Sequence, residues 1–170
     1  MQPNLAPKTT QLTNPSEIRV IAFPLANFWF ALPITAIRKI TLCPPEFGDD
    51  APGSSLVYLD NQTITILNLS PYLAAVNQEQ KSQTSNGKFL VIIKTTQEEP
   101  YGIRVNELPN MLDLPLAAIE KLPSSYRKNT MLGLASYVAV LPSQKRKLLL
   151  YLLDLEQALN LSAVNSTLRA

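Results

Sequence analysis

Histidine is missing from this chain and cysteine nearly so, with 0 and 1 copies in 170 residues. Without an imidazole there is no serine–histidine or cysteine–histidine couple, no histidine metal cluster and no phosphohistidine. Cys43 alone excludes an internal disulfide framework and a cysteine-rich metal site. It follows an apolar run and precedes two prolines, away from any cationic cluster, and so reads as an inert, partly buried thiol. With Gly at 5 in total, neither a dinucleotide fingerprint nor a phosphate-binding loop can be assembled. Charged residues make up only 16% and the net charge is +2, too little for a basic field of the kind that displaces phosphate counterions, so no nucleic-acid partner is expected.

The most apolar stretch, Val20 to Ile34, is interrupted by Pro24, Asn27 and Pro33. It falls short of the ~20 uninterrupted apolar residues that span a bilayer. Residues 1–16 are polar and carry no apolar core of a secretory signal. These features predict a cytoplasmic protein with no direct membrane insertion. The closest acidic pairs, Asp49-Asp50 and Glu98-Glu99, fall in predicted turns and read as solvated charge, as does the basic run Lys145-Arg146-Lys147 at a predicted hairpin tip. The residues present offer no catalytic constellation and no cofactor or metal site.

What the chain does have is 46% hydrophobic residues distributed as short β-type runs. Residues 1–16 read as a disordered tail and 162–170 as another. Arg19 to Phe23 and Phe28 to Leu32 form a predicted hairpin about Leu25-Ala26-Asn27. A further strand is predicted over Ile34 to Leu42, then a surface loop from Pro44 to Ser55. Leu56 to Leu59 and Gln62 to Leu69 flank Asp60-Asn61, two short polar side chains that tolerate the left-handed backbone of a tight turn. Ser70-Pro71 opens a short predicted helix to Val76. The hydrophilic segment 77–88 reads as a linker between two lobes, one over 17–76 and one over 88–153. In the second, Phe89 to Thr95 pairs with Tyr101 to Val105, a long loop covers Lys121 to Thr130, and Leu134 to Val140 pairs with Lys147 to Leu153. Asp154 is placed to cap a closing helix that ends by 161.

Two internal echoes support a duplicated plan. Phe30-Ala31-Leu32-Pro33-Ile34-Thr35-Ala36-Ile37 matches Tyr101-Gly102-Ile103-Arg104-Val105-Asn106-Glu107-Leu108 in residue type, and Ile66-Leu67-Asn68-Leu69 matches Leu152-Leu153-Asp154-Leu155. Many short strands at regular spacing favour small barrels, each burying too little surface to be comfortable alone.

The order and spacing of Glu17 to Ile40, Leu56 to Leu69, Lys88 to Pro123 with its Tyr101-Gly102-Ile103-Arg104-Val105 centre, and Leu132 to Leu159 resemble the CheW-like domain, over about 17–161. The resemblance implies an all-β fold of two SH3-like five-stranded barrel lobes around a shared core, with short helices. It further implies a non-catalytic adaptor that couples the cytoplasmic tip of a methyl-accepting receptor to the CheW-like regulatory domain of a CheA-type histidine kinase. Receptor contacts would fall at Ile37, Lys39, Ile40, Leu59, Asp60 and Asn61, and barrel-end apolar surfaces would bind the kinase. Where the family typically has an acidic residue this chain has Lys39, and where the family has arginine and glycine it has Asp60 and Asn61. If the two side chains face each other, they can form a salt bridge of reversed polarity; it is either a pair of solvated hairpin charges or a determinant of altered partner choice. A second reading keeps the fold and assigns a scaffold in pilus-based motility or another signalling complex. Trp29 alternates out of the face of Phe28 and Phe30, and its second-lobe counterpart is Pro100; it is either a barrel-filling aromatic or an interface anchor.

Overall fold

The computed structural model describes residues 16–47, 54–67, 69, 87–96, 99–127 and 133–160. Two curled six-stranded sheets make up nearly all of it. The strands are β1 (Glu17–Leu25), β2 (Phe28–Pro33), β3 (Ile37–Leu42), β4 (Glu46–Phe47), β5 (Ser54–Leu59), β6 (Gln62–Leu67), β7 (Phe89–Ile93), β8 (Tyr101–Val105), β9 (Asn110–Pro115), β10 (Ile119–Lys121), β11 (Ala135–Pro142) and β12 (Lys147–Leu153). The first sheet runs β10-β11-β12-β2-β1-β9 and the second β3-β7-β8-β6-β5-β4. The all-β, two-lobed expectation is met. Each sheet has six strands rather than five because two very short edge strands, β4 and β10, add to an otherwise five-stranded set.

Sheet membership does not follow a cut at 77–88. The hairpin β1–β2 lies inside the first sheet, beside β12 and β9, whereas β3 to β6 pair with β7 and β8 in the second. The chain therefore crosses between the sheets repeatedly, and each sheet needs strands from both halves. The predicted helix Pro71–Val76, most of the linker, residues 1–15 of the first tail and the whole of the second lie outside the described residues.

Read from opposite edges, the two sheets have the same plan. β10-β11-β12-β2-β1-β9 corresponds to β4-β5-β6-β8-β7-β3, with an antiparallel hairpin (β1–β2 or β7–β8) and one parallel contact (β12–β2 or β6–β8) in each. Phe30 lies beside Tyr151 and Ala31 beside Leu152, while Tyr101 lies beside Thr65 and Gly102 beside Ile66. Both sequence echoes thus fall in one register. The small residue they share has a steric cause: a Cβ on Gly102 would come within 2.6 Å of Leu90 Cδ1.

Alternation along β1 and β2 buries both faces. Ile21, Phe23, Phe30 and Leu32 meet Val91, Ile93, Ile103 and Val105 of the other sheet in a shared core, closed by Leu134, Leu153 and Ala158. The opposite face, with Val20, Ala22 and Ala31, joins Leu114, Ala139 and Leu150 inside the first sheet. Val57, Ile64, Ile66, Leu90 and Ile92 fill the second. Each fully buried Leu, Ile or Phe contributes about 1.5–3 kcal/mol relative to exposure.

Short elements follow local chemistry. Residues 155–160 form a helix, α2, after the earlier turn α1 (Ser124–Arg127), which interrupts the loop predicted there. Asp154 caps α2: its Oδ1 accepts from the Gln157 N–H at 3.2 Å, and Ser136 donates to its Oδ2 at 3.1 Å. A local motif, Leu-Pro-Ile-Thr-Ala-Ile at 32–37 and Leu-Pro-Leu-Ala-Ala-Ile at 114–119, produces the same event twice. A strand ends on proline, one 3₁₀ turn follows (Ile34–Ala36, Leu116–Ala118), and a new strand begins. The continuous strand expected over Ile34 to Leu42 accordingly starts only at Ile37.

Candidate docking cleft

Three local features build one concavity at the end of the second sheet. The first is a bulge in edge strand β3: Ile37 pairs with Ile93 and Lys39 with Ile92, so Arg38 is the extra residue. The bulge breaks the two-residue alternation, and Arg38 and Lys39 are both exposed between half-buried Ile37 and Ile40. The second is the β5–β6 turn, where Asp60 and Asn61 have φ of 50° and 61°. Two consecutive left-handed residues define the tight hairpin turn that short polar side chains favour. The third is the end of the β7–β8 connection, where the Pro100 carbonyl accepts from the Thr65 N–H at 3.1 Å.

Between them lies a cleft of about 250 Å³ with Ile64 and Ile92 as an apolar floor and Leu59 and Pro100 as walls. Arg38, Lys39, Asp60 and Gln62 complete its rim. Lys39 Nζ donates to Asp60 Oδ2 at 2.8 Å. β3 and β6 are three strand spacings apart in the sheet, ~14 Å if it were flat. A lysine cannot bridge that distance across a flat surface as well as reach the turn, so the contact reports the curl that brings the edge strand over the hairpin tip. Both side chains are largely in water, 47% and 68% exposed, so the pair fixes a charge pattern more than it stabilises the fold.

The six predicted contact residues divide. Lys39, Leu59 and Asp60 line the cleft, and Asn61 is exposed in the turn beside it. Ile37 and Ile40 instead pack against the shared core, because the bulge turns their side chains inward. Arg38, Gln62, Ile64, Ile92 and Pro100 belong to the cleft and were not singled out from the sequence. A bulge has no residue signature, and Ile92 and Pro100 reach the site only through sheet pairing.

Trp29 does turn away from the shared core, but onto another cluster. It is half-buried against Val20, Ala22, Ala31, Leu114, Ala139 and Leu150 inside the first sheet. Cys43 is half-buried, packs on the cluster under the cleft and donates to the Pro44 carbonyl at 3.5 Å. Lys145, Arg146 and Lys147 are exposed around the β11–β12 turn. Among the described residues no helix is long and apolar enough to cross a membrane, and no three histidine, cysteine or acidic side chains cluster as metal ligands.

The cleft is thus a rim of exposed charge around an apolar floor, carried on paired curled sheets. Comparison with known proteins agrees with that plan. No curated protein matches the chain. Among solved structures it is similar to the scaffolding protein TtCheW of Thermoanaerobacter tengcongensis, with a TM-score of 0.64, 14% identity and coverage of 83% of this chain and 86% of that one. The CheW-like domain family matches residues 19–163, which takes in both sheets, the cleft and the Asp154-capped helix. The chain belongs to the CheW-like domain family.

Proposed function

We propose that the chain is a non-catalytic signal-transduction adaptor that couples a receptor to a CheA-type histidine kinase in chemotaxis, phototaxis or motility signalling in the cytoplasm. The observation that carries this reading is the cleft itself. An apolar floor beneath Arg38, Lys39, Asp60 and Gln62 suits the side of a receptor-tip helix, with one or two apolar residues seated and polar residues at the rim. The kinase's CheW-like regulatory domain takes a separate apolar surface at a barrel end. The mechanism is geometric: the adaptor holds receptor and kinase in a fixed relation, so that a change in one alters the arrangement of the other.

The orientation of the Lys39–Asp60 pair favours a second reading, a scaffold for pilus-based motility or another signalling complex without a standard chemoreceptor. The polarity is the reverse of that typical of the family, and rim charges govern partner choice and association rate. Co-purification with CheA-type kinases of the same organism, followed by size-exclusion chromatography, separates the two. Co-elution with a kinase and with a receptor-tip fragment is the expected result. Co-elution with no CheA-type kinase would reject the coupling role in favour of the scaffold.

A further inference from the structure

The second sheet has an open cleft, and the common plan of the two sheets defines where its counterpart falls in the first. Pairing registers carry the positions across. Ile92 lies opposite Gly102 as Ala22 lies opposite Ala31, and Ile64 lies opposite Val57 as Leu150 lies opposite Ala139. Leu59 and Gln62 close the β5–β6 ladder where Leu141 and Leu148 stand in β11–β12. Pro100, which precedes Tyr101, corresponds to Trp29, which precedes Phe30.

The wall residue of the open cleft thus has an indole as its counterpart. That indole packs against the first sheet's own cluster, which is smaller at two positions than its counterpart. Ala22 and Ala139 stand where the second sheet has Ile92 and Val57. Removing side-chain volume from two positions while adding a tryptophan at a third is the compensation that close packing demands. The rim changes at two positions as well: Leu148 stands where the second sheet has Gln62, and the uncharged Asn110, which lies opposite Ala22 as Lys39 lies opposite Ile92, stands where it has Lys39.

We propose that Trp29 is an internal plug: it fills the first sheet's equivalent of the docking cleft, so that a molecule built from two like sheets offers its partner one cleft and not two. The plug specifies one ligand class for the site it occupies, a flat apolar aromatic of indole size. That a cleft of this kind docks a partner rests on the function proposed above; that Trp29 fills its counterpart does not.

Two variants test the plug. Trp29→Ala vacates the site, and vacated apolar cavities bind small aromatics. Excess indole is expected to raise its Tm with one-site saturation and to leave the wild-type Tm unchanged. A Trp29→Ala protein that is folded and indifferent to indole would overturn the proposal, as would equal indole binding by the wild type. The second variant runs the exchange the other way and does not depend on the first being stable. Ile92→Ala with Pro100→Trp, in a Trp29→Phe background, leaves one indole in the chain. Its fluorescence is expected to be blue-shifted and shielded from iodide, as in a filled cleft; a solvent-like emission rejects the equivalence. In the same variant, binding of a receptor-tip fragment should weaken by about tenfold or more, with kinase binding unchanged. A wild-type protein that binds no receptor-tip fragment, together with a positive indole result, rejects the docking role of the cleft and leaves the plug standing.

Discussion

Lys39 and Asp60 hold opposite charges 2.8 Å apart in a position open to solvent, where an ion pair is worth only about 0–1 kcal/mol. Their exchange, Lys39→Asp with Asp60→Lys, should leave the Tm nearly unchanged while altering receptor binding, a contrast read by thermal melts beside a binding titration. Unaltered binding would remove this pair from the determinants of partner choice. The Arg19–Asp113 pair differs in geometry. Arg19 Nε and Nη2 donate to the two carboxylate oxygens at 2.8 and 3.2 Å, and each residue lies directly opposite the other on β1 and β9. Those hydrogen bonds pull the Asp113 pKa below its ordinary value and raise that of Arg19. Because Asp113 is more acidic folded than unfolded, the contribution of the pair is complete above the ordinary aspartate range and is lost as pH falls through the lowered folded value. The Tm difference between wild type and Asp113→Asn should therefore be present at neutral pH and shrink towards zero in acid. A difference that does not change with pH would show that the carboxylate's charge is immaterial.

At the level of single elements, sequence signals worked where the cause is local. The Asp60-Asn61 turn and the Asp154 cap were legible because each depends on one or two side chains acting on their own backbone. Asp154 does more than cap, since its backbone N–H also donates to the Leu134 carbonyl at 2.7 Å, tying α2 to the start of β11. Asp154→Ala is expected to cost about 0.5–2 kcal/mol, measured by chemical denaturation. A neutral result would mean that α2 is held by Ala158 in the shared core alone. The bulge at Arg38 and the strand β9 were not legible. A bulge depends on which neighbour a strand meets, and Asn110–Pro115 carries exposed Met111 and Asp113 among its apolar residues, because as an edge strand it buries little.

Across the whole molecule, each sheet borrows strands from the other half of the chain. β1 and β2 sit at the centre of the first sheet, between β12 and β9, although those lie far along the sequence. Fragments 1–80 and 81–170 should therefore each lack part of both sheets. Neither is expected to fold alone by circular dichroism, and mixing them should restore the β signal and a cooperative melt. A fragment that folds by itself would show that a sheet tolerates the loss of its central hairpin. The same crossing lets the shared core draw on both sheets, with Phe23 and Phe30 from one against Val91 and Ile103 from the other.

Composition and local pattern by themselves determined the all-β class, the hairpins, the duplicated register and the lack of any histidine. Each of these follows from residue type and near-neighbour spacing. Only the tertiary structure decided which hairpin enters which sheet, that Ile37 and Ile40 face inward, and that Arg38, Ile92 and Pro100 join Lys39 and Asp60 around one cleft. Those outcomes depend on long-range pairing and sheet curl. Trp29 stands between the two: its alternation predicts that it leaves the shared core, while its filling of the first sheet becomes visible only when Ala22 and Ala139 are brought beside it.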